Sequence, residues 1–178
     1  IAETKSSRLI LEIYNNSVTV NMGIPDFEPV NIPLNVNEKL EKYSISSNNK
    51  EIIFGAISVG NPHAVIIVDD VESASVKSTG NILQKHGIFP EGVNVGFVQI
   101  LDRKNIRLRV YERGAGETLA CGSGACAAVA VACQQGYLED VVDVELQGGH
   151  LIIRWGGNGK PVYMSGSVET VYEGEIEL

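Results

Sequence analysis

The sequence predicts an α+β fold in which a curved, mainly antiparallel sheet wraps around one central, buried helix. Three observations support this prediction. Most of the 178 residues alternate apolar and polar side chains, which is the pattern of a half-buried strand. Residues 125–133 are apolar on every side, as a helix inside a core must be, and Gly136 is expected to end that helix. Residues 75–86 form a second segment with helical spacing.

The strands are placed in chain order from this alternation and from the turn residues between them. Strands 9–14 and 17–22 flank a pair of asparagines, which predicts a β-hairpin. Residues 44–50 are polar and carry no predicted strand. The other predicted strands are 31–37, 51–59, 64–68, 93–101, 105–111, 141–146, 151–155, 162–167 and 169–178.

Composition and charge exclude several kinds of partner and site before any motif is considered. Lys and Arg total 14 and Asp and Glu total 22, for a net charge of −8, so no nucleic-acid partner is expected. No apolar stretch approaches the roughly 18 residues of a membrane-spanning helix, so no membrane association is expected. Cys121, Cys126 and Cys133 fit neither a disulfide framework nor a zinc site. We therefore expect a cytoplasmic protein with reduced thiols and no metal.

The strongest local signal is a cysteine at the point where a glycine-rich loop, residues 114–124, enters the apolar helix. The backbone N–H groups of Gly122, Ser123 and Gly124 would lie in the first helical turn, where such groups lack carbonyl partners and attract anions. The same field favours a thiolate, so the sequence predicts a lowered pKa for Cys121. The alternative, a buried structural cysteine, is favoured for the two cysteines inside the helix.

Three further segments supply candidate polar groups. The fork of Arg113 suits a carboxylate and Glu112 suits an ammonium group, although the two could simply form a surface ion pair. The amide of Asn61 can both donate to and accept from a zwitterion. His63 could shuttle protons or orient a thiol, against the alternative of a structural turn histidine. Asn94 stands at a strand start, where a turn asparagine is the ordinary interpretation.

Taken in order, these segments closely resemble those of the diaminopimelate epimerase family. The resemblance covers essentially the whole chain, and its longest run is highly specific. The matching segments are 20–23, 60–63, 93–97, 109–118, 120–126 and 163–166.

The resemblance implies a cofactor-independent epimerase that interconverts LL- and meso-diaminopimelate in lysine and peptidoglycan-precursor synthesis. It implies two pseudo-symmetric domains with the active site between them, and one cysteine from each domain acting as base or acid on opposite faces of the α-carbon. The catalytic cysteine here would be Cys121. The implied substrate-binding residues are Asn61, Asn94, Glu112, Arg113, Gly122 and Ser123, with His63 as a supporting acid or base.

The chain departs from the family in one respect. The family's first domain carries its own Cys-Gly-Asn-Gly motif, which is absent here. We therefore expect residues 1–22 to be the last strands of a truncated N-terminal domain, 23–168 to be the C-terminal epimerase domain, and 169–178 to return to the first domain. The expected partners are diaminopimelate, the missing N-terminal domain and a second copy in a homodimer.

Two other functions stay open at this point. One is a related isomerase of the same fold that acts on a different small acid. The other is a binding module that holds an amino acid without turning it over, which could describe this chain when it is alone.

Overall fold

A computed structural model describes residues 2–3, 8–47 and 50–176. Within these residues, the helices are a 3₁₀ helix (Pro29–Asn31), α1 (Val76–Lys85) and α2 (Gly122–Gln134). The strands are β1 (Ala2–Glu3), β2 (Arg8–Tyr14), β3 (Ser17–Asn21), β4 (Tyr43–Ser47), β5 (Lys50–Ser58), β6 (Pro62–Val68), β7 (Asn94–Ile100), β8 (Asn105–Glu112), β9 (Gly116–Thr118), β10 (Val141–Leu146), β11 (Gly149–Trp155) and β12 (Val162–Ser167). The α+β class is confirmed.

The strands form one mixed sheet in the order β1-β2-β3-β12-β11-β10-β8-β7-β6-β5-β4, with β9 paired to β8. The pairs β6–β7 and β8–β10 are parallel, and the other pairs are antiparallel. The predicted hairpin is confirmed, because Tyr14 pairs with Ser17 around a turn in which Asn15 has a φ of 51°. Strand β3 also pairs with β12. One sheet therefore contains strands from both sides of residue 22, where the sequence predicted a domain boundary.

Helix α2 packs against β5, β6, β7, β8, β11 and β12. Residues 124–132 are all buried, as expected for a helix with small apolar side chains on every side. The helix ends as the sequence predicts. Gly136 has a φ of 75°, and the N–H of Tyr137 donates to the carbonyl of Ala132 at 2.9 Å, which closes the last turn.

Helix α1 packs on the other face of the sheet, against β7, β8 and β9. The two faces carry separate apolar clusters: on β5, Ala56 belongs to the α1 cluster and its neighbour Ile57 to the α2 cluster. This division follows from the alternation of side chains along a strand. The structure describes no helix that is both long enough and apolar enough to cross a membrane.

The predictions for residues 31–37 and 44–50 were wrong. Residues 31–37 form no strand, because Pro29 and Pro33 donate no backbone hydrogen bond and the N–H of Leu34 turns back to the carbonyl of Pro29. Residues 44–50 were interpreted as a polar loop, but strand β4 covers residues 44–47 of it. Residues 48–49 lie outside the described residues. The alternation in β4 of buried Tyr43 and Ile45 with serines was the available signal.

The predicted strand 169–178 is not formed over residues 169–176, and 177–178 lie outside the described residues. The N–H of Val168 donates to the carbonyl of Asn16 at 2.9 Å. Residues 169–176 make no backbone hydrogen bond to the described part of the chain, and Val171, Tyr172 and Ile176 are exposed. A strand needs a partner for its N–H and carbonyl groups, and residues 2–3, 8–47 and 50–168 offer none to this segment.

A close approach between α1 and β8 yields a stability prediction. A Cβ atom at Gly80 would lie 2.6 Å from Cδ1 and 2.8 Å from Cβ of Tyr111. In an ordinary helix Gly→Ala is stabilising by about 1 kcal/mol. We expect Gly80→Ala to lower the free energy of unfolding by about 1–2 kcal/mol instead, because the overpacking cost is larger than the gain in helix propensity. Urea unfolding monitored by circular dichroism measures this.

The matched control is Gly87→Ala, because a Cβ at Gly87 would contact nothing within 4 Å. Its free energy of unfolding should stay within about 0.5 kcal/mol of the parent value. A Gly80→Ala protein as stable as the parent would contradict the close packing of α1 on Tyr111.

Candidate active site at the N-terminus of α2

Cys121 is the N-cap of α2, and its carbonyl accepts the first helical hydrogen bond from the N–H of Ala125 at 2.9 Å. The helix therefore begins at Gly122, and the segment predicted as a glycine-rich loop contains strand β9. The N–H groups of Gly122, Ser123 and Gly124 belong to the first turn, as expected, and have no carbonyl partner within the helix. Together they form an anion-binding terminus beside the thiol.

Two glycines let this terminus pack closely. A Cβ at Gly124 would lie 3.2 Å from Cβ and 3.3 Å from Sγ of Cys121. A Cβ at Gly122 would lie 2.7 Å from Sδ of Met164 in β12. Met164 therefore covers the start of the helix. Met164 was not predicted as a site residue from its own chemistry. It lies in the segment 163–166, one of those that resemble the family.

Glu112 ends β8, and β9 runs back beside it. The hydroxyl of Thr118 in β9 donates to Oε1 of Glu112 at 2.6 Å. No ion pair joins Glu112 to Arg113 among the described residues, so the alternative of a surface pair is wrong. Thr118 is a second residue that the sequence reasoning missed, since a threonine in a loop carries no signal of its own.

The pKa of the Cys121 thiol is raised above its ordinary value, so the predicted lowering was wrong. Burial is the largest cause, since Cys121 is only 8% exposed, and a hydrogen bond to the Glu112 carboxylate is the next. The Ser123 hydroxyl and the Gly124 N–H act in the opposite direction but are outweighed. The thiol is therefore protonated at neutral pH.

A chain of polar contacts leads from the core to this thiol. Nε2 of His63 lies 2.9 Å from Oδ1 of Asn61, and because that oxygen can only accept, Nε2 carries the hydrogen. Nδ2 of Asn61 donates to the Ser123 hydroxyl at 3.5 Å. Oγ of Ser123 lies 3.6 Å from Sγ of Cys121. The structure therefore brings three predicted residues together around the thiol.

His63 differs from its predicted role. It is 2% exposed, and burial lowers its pKa to about 4 despite the nearby Glu112 carboxylate. Its ring is neutral at neutral pH, and its described hydrogen bond goes to Asn61 rather than to the thiol. His63 is placed to orient Asn61, and a proton-shuttling role near pH 7 does not fit its pKa.

Asn94 and Arg113 form the other side of the site. Nδ2 of Asn94 donates to the carbonyl of Pro62 at 3.2 Å, and its Oδ1 accepts from the N–H of Arg113 at 2.9 Å. Asn94 is 7% exposed. Its two hydrogen bonds join the start of β6 to the residue that follows β8. The Arg113 side chain is exposed, and its Nη1 donates to the carbonyl of Glu91 at 2.8 Å. The rest of the guanidinium faces solvent, where it can meet an anion.

The other two cysteines lie along α2, behind Cys121. Burial raises the pKa of Cys126 to about 12 and that of Cys133 to about 11. Cys126 is fully buried, and the Cys133 thiol donates to the carbonyl of Glu139 at 3.1 Å. Cys126 therefore lies in the core and Cys133 is half-buried with its thiol hydrogen-bonded, which agrees with the structural role predicted for them.

A cavity of about 640 Å³ lies elsewhere, at the start of α1. Its lining includes Lys77 and Arg109, and Arg109 is already bound to Glu117 at 2.6 Å and to the carbonyl of Val71 at 2.9 Å. None of the predicted site residues lines it. The predicted site residues instead come together at the N-terminus of α2, with its N–H donors, the Cys121 thiol and the Glu112 carboxylate.

One known protein family matches more than half of this chain. Residues 55–171 match the sequence model of the diaminopimelate epimerase family. All the predicted site residues fall inside that range.

Two solved structures share the fold. A hydroxyproline epimerase from Agrobacterium vitis, with bound trans-4-hydroxy-L-proline, is 15% identical and matches 94% of this chain with a TM-score of 0.63. A probable proline racemase from Agrobacterium radiobacter K84, with bound carbonate, is 15% identical and matches 94% of this chain with a TM-score of 0.59. The chain spans 59% of the length of each.

Proposed function

Because the chain belongs to the diaminopimelate epimerase family, we propose that it supplies half of the active site of an epimerase that interconverts LL- and meso-diaminopimelate. The observation that carries this proposal is the position of Cys121. A thiol stands at the N-terminus of a buried helix beside first-turn N–H donors, and the Glu112 carboxylate is near enough to raise the thiol's pKa.

The proposed reaction inverts one α-carbon without a cofactor. A base on one face of that carbon removes its proton, and the Cys121 thiol delivers a proton to the opposite face and becomes a thiolate. In the reverse direction the Cys121 thiolate removes the proton. The protonated state of Cys121 suits the acid role, and the first-turn N–H groups would stabilise the substrate carboxylate as charge develops.

The side chains around the thiol suit the remaining groups of the substrate. Glu112 is placed to bind the ammonium group at the reacting carbon. The exposed guanidinium of Arg113 is suited to the distal carboxylate, and Asn61 and Asn94 complete the binding surface. A substrate with a second charged end uses all of these groups, which favours diaminopimelate over a cyclic imino acid.

We propose that the second acid or base comes from outside the described residues. Cys126 and Cys133 lie behind Cys121 on the same helix and cannot face it across a substrate. The proposed source is an N-terminal domain, to which residues 1–22 and 169–178 would also contribute, with 23–168 as the C-terminal domain. The protein that contains both domains is called the two-domain protein below.

Three finer proposals accompany this one. The sheet curves around α2, since the helix contacts strands as far apart in the sheet as β5 and β12. The reaction takes place in the cytoplasm, where the three free cysteines would stay reduced. A homodimer stays a prediction from the family resemblance.

Exchange of the α-hydrogen in D₂O tests the proposed function. We expect the two-domain protein to incorporate deuterium into LL-diaminopimelate but not into proline or hydroxyproline, as measured by mass spectrometry. This chain alone should incorporate none, because it holds one of the two acid/base groups.

The controls separate the open alternatives. Exchange of proline would favour a related isomerase, and binding of diaminopimelate without exchange by the two-domain protein would favour a binding module. Rapid exchange by this chain alone would overturn the proposal that the second group lies in another domain.

A further inference from the structure

The hairpin of β8 and β9 places a hydroxyl beside the site's carboxylate. Val110 pairs with Thr118 and Glu112 pairs with Gly116, so the side chains of Thr118 and Glu112 lie on the same face of the hairpin. The Thr118 hydroxyl donates to Oε1 of Glu112 at 2.6 Å. We propose that Thr118 is a positioning residue that holds the Glu112 carboxylate beside the Cys121 thiol.

The carboxylate needs such a restraint. Glu112 is partly exposed, and a glutamate side chain can rotate about three bonds toward solvent. In the described part of the chain, no arginine, lysine or histidine forms an ion pair with it. The hydroxyl of Thr118 is therefore the described contact that restrains Oε1 of Glu112. The carboxylate held there raises the pKa of the Cys121 thiol.

The other groups around Cys121 do not depend on Thr118. The Ser123 hydroxyl and the Gly124 N–H reach the thiol from α2, and Cys126 lies farther along that helix. From β6, the neutral ring of His63 contacts Asn61. Removing the Thr118 hydroxyl should therefore change the thiol's surroundings through Glu112 alone.

This inference deepens the proposed function and rests on it for the role of Glu112 in binding the substrate ammonium group. Its test uses the chain described here and requires no turnover, so the two can fail separately. The rate of alkylation of Cys121 by iodoacetamide is measured between pH 6 and 10, with tandem mass spectrometry to resolve the three cysteines.

Four variants are compared with the parent chain. Glu112→Gln removes the negative charge beside the thiol, so its alkylation profile should move to lower pH. Thr118→Val should shift the profile in the same direction, with alkylation at pH 8 faster by about threefold, because the released carboxylate turns to solvent.

Thr118→Ser keeps the hydroxyl and should restore the parent profile. Thr19→Val removes a 2.8 Å hydroxyl contact to Ser165 away from the site and should leave the profile unchanged.

Thermal unfolding of each variant identifies any that do not fold, and Thr118→Ala then replaces Thr118→Val. A Thr118→Val profile that coincides with the parent, or moves to higher pH, overturns the proposal. A Thr118→Ser profile that matches the Thr118→Val profile also overturns the proposal, because the hydroxyl would then not be the group that positions Glu112.

Discussion

Replacing Cys121 with serine should reduce α-hydrogen exchange of LL-diaminopimelate by the two-domain protein by about 10³-fold or more. A serine hydroxyl is a far weaker acid than a thiol, so it cannot deliver a proton to the α-carbon or remove one at neutral pH. The loss should appear in kcat, because Glu112 and the first-turn N–H groups still bind the substrate. Deuterium incorporation in D₂O, followed by mass spectrometry, measures it.

The matched control is Cys133→Ser, at the far end of the same helix. The Cys133 thiol only donates to the carbonyl of Glu139, and a serine hydroxyl can do the same. Exchange by this variant should stay within about twofold of the parent rate. If Cys121→Ser retained the parent rate while folded, the assignment of Cys121 as an acid/base group would be wrong.

Lowering the pH should destabilise the fold through His63. Its pKa is about 4 in the folded chain and 6.5 when unfolded, so the folded state favours the neutral ring. The corresponding stabilisation is present above pH 6.5 and is lost as the pH falls toward 4, because the unfolded chain then binds the proton more readily. Between pH 7.5 and 4.5 this group should remove roughly 2–3 kcal/mol from the free energy of unfolding.

Urea unfolding of His63→Gln at both pH values isolates this contribution. Glutamine does not titrate, so the loss of stability between pH 7.5 and 4.5 should be smaller than in the parent by that amount. The control is His150→Gln, because the exposed ring of His150 pairs with Asp143 and its pKa is raised. That variant should not reduce the acid sensitivity. Equal acid sensitivity of His63→Gln and the parent would show that His63 is not buried in its neutral form.

The structural elements that the sequence predicted well are those encoded by local pattern. Residues 125–133 could only be a buried helix, because a segment apolar on every side has no face to offer to water. The hairpin around Asn15 and the C-terminal Gly136 of α2 followed from residues that tolerate a positive φ. Cys121 was predicted as the site's centre because a helix N-terminus can bind an anion, and this role stays a prediction.

Other features depend on partners that are distant in the chain. The position of β4 and the absence of a strand over 169–176 depend on which segment lies alongside, since backbone groups pair across the sheet. The pKa of Cys121 was predicted from the helix alone, and its direction was wrong because burial and the Glu112 carboxylate outweigh the helix N-terminus. The effects of burial and of a nearby charge on a pKa depend on distances and exposure in the folded chain, which cannot be read from one segment of the sequence.

For this chain, then, local sequence was sufficient for both α-helices, most of the strands and the place of Cys121 at the start of α2, because propensity, turn chemistry and apolar periodicity act over a few residues. Only the tertiary structure decided the protonation states of Cys121 and His63, the hydrogen bond from Thr118 to Glu112 and the turning of Arg113 away from Glu112. Each of these depends on desolvation or on a contact across strands and loops, and such effects exist only once the sheet has assembled around its helices.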